Sequence, residues 1–213
     1  MYQRLRSLAT GHIKTYQKPL QWKYQSMFNH KKETIYADDD TETLSLLMRL
    51  RLPPLIIGLF FGIGISFLTS RFEEVLTKNI HTAFFIPFVV YLADAIGTQT
   101  ETIFSRDLKT GKASFHGYLI KEASIGLLTG ILFGGVSFGI VLWWFSDVRL
   151  ALSVGISTFL AIFIAPLIAL CTTQVLSDLN IDPATGSGPI ATVIQDATSI
   201  IIYGMVSSIF FLS

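Results

Sequence analysis

Charge is scarce in this sequence. Asp, Glu, Lys and Arg make up 15% of the 213 residues, against roughly a quarter in ordinary soluble domains. The balance is near neutral, +1, so no basic surface argues for nucleic acid. There is one cysteine, Cys171, and a lone thiol cannot form an internal disulfide. The four histidines, His12, His30, His81 and His116, lie in the N-terminal arm and the loops. None has metal-ligand spacing to a Cys or to another His. There is no phosphate-binding loop, no nucleophile elbow and no His-Glu pair at helical spacing. ATP hydrolysis and enzymatic chemistry in general are therefore not expected. The first 30 residues hold no apolar run, so no cleavable signal peptide is expected. No internal repeat is visible.

What the chain has instead is apolar length. Hydrophobic residues make up 51%. Five apolar segments run from about 50 to 69, 82 to 105, 118 to 145, 150 to 175 and 190 to 212. Each reaches the roughly 20 residues that a helix needs to cross a hydrocarbon core. Backbone groups in lipid must be satisfied internally, and no segment alternates like a barrel strand, so the spans are expected to be helices. The fold class is all-α: a polytopic membrane protein with five spans. Residues 49–213 form the membrane domain, and residues 1–48 a polar arm.

Nine of the 16 Lys and Arg lie in the arm or at its edge, up to Arg51. In the arm Leu5, Leu8, Ile13, Tyr16 and Leu20 recur at helical spacing between basic residues. This suits either a helix on an anionic membrane surface or a solvated tail. Asp39 and Glu42 resemble a helix start. With five spans, the arm and the Arg106–Lys121 loop share one side and carry 13 basic residues, whereas Arg71, Lys78 and Arg149 lie opposite. The positive-inside rule places the N-terminus in the cytoplasm and the C-terminus outside. The plasma membrane is the expected location.

The acids inside the spans are the chemical signal. On span five, Thr192, Asp196, Ser199, Tyr203 and Ser207 share one helical stripe. On span two, Tyr91, Asp94, Thr98, Glu101 and Ser105 do the same. Counted from the inner ends, Asp94 and Asp196 each sit ~18 Å deep, at similar height. Ionisable groups at that depth are costly and mark ion or proton paths by default. Neither span carries a Lys or Arg at that depth to neutralise them. Two carboxylates flanked by hydroxyls suit a hard divalent cation. The expected metal-site residues are Asp196, Asp94, Glu101, Thr192 and Thr98, with Glu101 nearer the inner mouth. Glu122, beside Lys121, is expected in an interfacial ion pair. Two other readings remain open: a proton- or sodium-coupled transporter of a small solute, and an assembly subunit whose acids pair with a partner's basic helix. Glycines four apart (Gly58, Gly62; Gly126, Gly130, Gly134) and Ala161, Ala165, Ala169 and Thr173 mark faces where helices can approach closely. The Gly186, Gly188, Pro189 cluster predicts a turn before span five.

The stretch from 182 to 203, DPATGSGPIATVIQDATSIIIY, closely resembles the last span of MgtE-type magnesium transporters, relatives of eukaryotic magnesium carriers. Asp182, Pro183, Ala184, Ser187, Pro189, Thr192 and Asp196 match that pattern in register. Arg51-Leu52-Pro53, Phe72-Glu73, the stretch from Pro87 to Gly111, and Lys121-Glu122 with Gly126 and Gly130 agree in order. The resemblance covers about residues 50–213. It implies a homodimer of five-helix protomers, a pore at the two-fold interface lined by spans two and five, Asp196 as an ion-binding residue, and Mg²⁺ as cargo with no cofactor. Two departures stand out. The family's span two has Gly-Gly-Asn where this chain has Ala93-Asp94-Ala95, which adds a carboxylate and removes an amide. The arm is also too short for the cytoplasmic sensor of bacterial members, so gating by such a sensor is not carried over.

Overall fold

The computed structural model describes residues 43–111, 113–181 and 183–212. The expected arm helix and the acidic run around Asp39 and Glu42 lie outside the described residues. Six helices follow one another: α1 Leu44–Ser70, α2 Glu73–Lys78, α3 His81–Lys109, α4 Phe115–Phe145, α5 Val148–Asp178 and α6 Pro183–Leu212. No strand occurs among the described residues. All but α2 contain a stretch long and apolar enough to cross a membrane, that of α6 being Gly188–Leu212. The five expected spans are these five helices, each continued by a few residues beyond its apolar stretch.

α1 begins at Leu44, ahead of its apolar run, and Pro53 and Pro54 lie inside it. One local expectation changes. The glycine–proline cluster before span five does not break the chain, because α6 is already helical from Pro183 and Pro189 lies within it. Membrane helices tolerate proline because neighbouring helices can satisfy the freed carbonyl. The link from α1 to α3 contains α2, which is short and polar.

α5 is the central helix. It packs against α3, α4 and α6, and its Ala161, Ala165, Ala169 and Thr173 are all buried. The α4–α5 contact is close because α4 presents glycines to it. A Cβ on Gly126, Gly130 or Gly134 would come within 2.9, 2.9 and 2.8 Å of the carbonyl oxygens of Phe163, Phe159 and Gly155. Gly58 and Gly62 of α1 are different. The first has only Val193 Cγ2 nearby, at 3.8 Å, and the second has nothing within 4 Å. α1 meets the rest of the chain chiefly through α6, and Pro54 is its one buried residue.

Asp147 starts α5 by accepting from the backbone N–H groups of Arg149 at 2.9 Å and Leu150 at 3.1 Å. This is the ordinary N-cap device for satisfying a helix's orphan donors. Asn79 Nδ2 donates to the other Asp147 oxygen at 3.2 Å, which ties the α2–α3 link to the α4–α5 turn. The outward side chains suit lipid: Phe60, Phe61, Ile131 and Leu132 are exposed, and so are Trp143 and Trp144 near the end of α4. Tryptophan pairs of this kind favour the membrane–water interface.

Candidate functional site

α3 and α6 run antiparallel, and their side chains meet along the length of both. Towards the start of α6 Gly188 faces Glu101: a Cβ there would lie 3.5 Å from Glu101 Oε1. Further up, Thr192 Oγ1 donates to Asp94 Oδ1 at 3.1 Å. Beside that pair, the Gln195 side chain lies on Gly97. Towards the start of α3 and the end of α6, the Tyr203 hydroxyl donates to the Thr82 carbonyl at 2.7 Å, and Ser153 of α5 and Ser207 share a hydrogen bond of 2.7 Å.

The polar stripe on α6 therefore divides into two parts. Its C-terminal half, Ser199, Tyr203 and Ser207, is buried, and Tyr203 and Ser207 make the helix-to-helix bonds just described. Interhelical bonds of this kind in membranes are worth roughly 0.6 kcal/mol each on average. Its N-terminal half holds Thr192 and Asp196, both partly buried. Asp94 and Asp196 lie close enough to act on each other's charge. Hence three of the five expected residues, Asp94, Thr192 and Asp196, come together. Glu101 sits lower, beside the start of the α6 apolar stretch. Thr98 is exposed on α3, on the protomer's surface. Among the described residues no three Asp, Glu, His or Cys side chains gather into a cluster that could hold a metal by itself.

Two features were not expected from the sequence. Glu122 is 6% exposed and accepts from Thr100 Oγ1 at 2.7 Å. It lies inside the α3–α4 contact rather than in an interfacial ion pair. The helix is wound so that Glu122 faces the same way as Gly126, Gly130 and Gly134, at spacings of four, which carries it into the protein. Gln195 is the second. It is 1% exposed, and neither its amide oxygen nor its amide nitrogen has a hydrogen-bond partner in the chain. An unpartnered buried polar group costs roughly 1–3 kcal/mol. Its position immediately before Asp196 was the available signal, and an isolated Gln in an apolar run gives no direction.

The sequence profile of the MgtE family, described as a divalent cation transporter, matches residues 86–206. The chain belongs to the MgtE family of divalent cation transporters. Those residues take in α3 almost from its start, all of α4 and α5, and most of α6, and so the whole of the Asp94–Thr192–Asp196 group. Among relatives, the magnesium transporter MgtE of Enterococcus faecalis is 34% identical over 163 residues, which is 75% of this chain and 36% of that protein. That of Bacillus subtilis is 28% identical over the same length and shares. That of Thermus thermophilus is 30% identical over 152 residues, 70% of this chain and 34% of that protein. The chain thus spans about a third of the length of the curated relatives it matches. Family membership and five apolar helices make it an integral membrane protein.

Proposed function

We propose that this chain carries Mg²⁺ or a related divalent cation across a membrane, along a path walled by α3 and α6. The observation that supports this most is the Asp94–Thr192–Asp196 group. In this reading two carboxylates from two antiparallel spans share one region of a transporter family's membrane helices. The relatives are named as magnesium transporters, which favours Mg²⁺ as cargo. Mg²⁺ sheds its water reluctantly and is held by one or two carboxylates with several waters retained. Asp94 and Asp196 fit that role, with Thr192 holding Asp94 in place. Glu101 stands at the inner mouth and Thr98 on the path-facing surface. The proton- or sodium-coupled solute reading has no observation of its own in its favour.

Among the described residues of one protomer no complete metal cluster forms, so the working unit in this reading is a two-fold homodimer that doubles the set at the axis. The departure at position 94 makes the path more acidic than the Gly-Gly-Asn pattern would. A titration of thermal stability tests both points. Mg²⁺ at millimolar levels or below should raise the melting temperature of the purified wild-type chain, and cross-linking through a cysteine pair introduced on α6 should trap a dimer. A melting temperature indifferent to Mg²⁺, Mn²⁺ and Ca²⁺ alike would remove the support for a cation site.

The orientation follows from the charge bias: arm inside, C-terminus outside. A cysteine introduced at Ser213 should react with an impermeant thiol reagent added to intact cells, and one at Tyr2 should not. Equal labelling at both ends would contradict an odd number of spans.

A further inference from the structure

Glu122 is the buried acid that the proposed cation path does not use. It stands on α4, whereas α3 and α6 wall the path. An ionisable side chain inside a membrane bundle is costly, and an apolar one would pack α4 on α3 without that cost. Among the described residues it makes no ion pair. The charged and titratable groups around it point elsewhere. Lys121, its neighbour in sequence, is exposed, as are Arg106, Lys109 and His116 at the corner where α3 ends and α4 begins. Asp107 holds Arg106 and Tyr118. Glu101 faces Gly188 of α6. α5 meets this stretch of α4 through Phe163 and Pro166, and its Cys171 and Asp178 are exposed.

What Glu122 has is a partner that suits either of its protonation states. Thr100 is buried as well. Its hydroxyl lies 2.7 Å from Glu122 Oε2 and 3.4 Å from the Ile96 carbonyl oxygen. A carboxylate only accepts, whereas a carboxylic acid also donates, and a hydroxyl can do both and rotates to suit. With Glu122 charged, Thr100 donates to it. With Glu122 protonated, the acid O–H donates to the Thr100 oxygen, and the Thr100 proton turns to Ile96. Neither state strands a buried group. Polar groups also connect Glu122 to water. Tyr118 lies one turn earlier on the same face of α4, near enough to feel the charge of Glu122. Its hydroxyl donates to Asp107, whose side chain is 23% exposed. A proton passes along such a line without the opening that a hydrated cation needs.

We propose that Glu122 is a proton-binding site separate from the cation path: it takes up and releases a proton at the α3–α4 corner, with Thr100 switching its hydroxyl between Glu122 and Ile96. The proton comes from water at that corner and becomes the acid O–H; no other covalent bond changes. α3, which carries Asp94 and Glu101, thereby responds to acidity through a group outside the path. Infrared spectra of the purified, metal-free chain test this, recorded as the pH is lowered over the range in which it stays folded. A protonated carboxylic acid has a carbonyl stretch distinct from those of carboxylates and amides. Wild type should gain such a band as the pH falls. Glu122→Gln, which can still accept from and donate to Thr100, should lack one component of it, and Asp196→Asn should keep that component. In Thr100→Val the component should shift to higher frequency, because the acid has lost its hydrogen-bond partner. If the glutamine variant does not fold, the Thr100→Val shift decides. No component due to Glu122 at any pH, or one that is the same at every pH, overturns the proton site. An unshifted component in Thr100→Val overturns the switch. A component lost from Asp196→Asn as well overturns the separation from the cation path.

Discussion

Asp196→Asn is expected to remove Mg²⁺-dependent stabilisation and at least nine-tenths of Mg²⁺ flux, while the protein still folds. Asparagine has nearly the volume of aspartate and can satisfy the same neighbours, so a carboxylate that only packed would lose little. The charge is a different matter. Asp196 and Asp94 are close enough to act on each other's charge, and two acids at one depth in a membrane are mutually unfavourable unless a cation or protons lie with them. Removing one acid relieves that repulsion, so the metal-free variant should melt at or above the wild-type temperature. The loss should therefore appear only in the metal-dependent part. Asp94→Asn should act in the same direction and more weakly, because its place is held by Thr192 rather than by the cation alone. If the two acids share one ion, the double variant should lose less than the sum of the single losses.

The second large effect concerns the scaffold. Gly130→Val should destabilise the bundle by roughly 1–3 kcal/mol, the usual range for overpacking, and lower its melting temperature with and without metal. A Cβ at Gly130 would lie 2.9 Å from the Phe159 carbonyl oxygen and 3.1 Å from its ring. Backbone cannot give way as a flexible side chain can, so α4 must move off α5. α5 also carries α3 and α6, so flux should fall together with stability. Gly62→Val, on α1 with nothing within 4 Å of a Cβ, is the control and should be close to neutral. Thermal melting of the two variants in one detergent measures the contrast.

The five spans were legible because hydrocarbon imposes a length and a composition that apolar runs reveal directly. Asp94 and Asp196 draw attention for the opposite reason: they stand out as charges where charge is costly, and Thr192, on the same patch as Asp196, donates to Asp94. The breaker cluster before span five misled, since glycine and proline signals are calibrated on water-exposed turns, and here α6 runs through Pro189. The two glycine seams looked alike in sequence. Only packing separates Gly130, pressed on a backbone carbonyl, from Gly62, which meets nothing. Glu122 and Gln195 were hidden because their character depends on which neighbour each helix turns them toward. For Glu122 that neighbour is Thr100, and for Gln195 it is a residue with no side chain at all, Gly97.

Flux through this chain alone is the most direct measurement, because the chain spans only about a third of the length of its magnesium-transporting relatives. The purified wild-type chain and Asp196→Asn are reconstituted at equal density into liposomes loaded with a Mg²⁺-sensitive dye, and Mg²⁺ is added outside. Wild type should give a saturable rise in internal Mg²⁺ that Asp196→Asn lacks. Equal rates for the two proteins, or a wild-type rate no greater than that of empty liposomes, would contradict a cation path through Asp196.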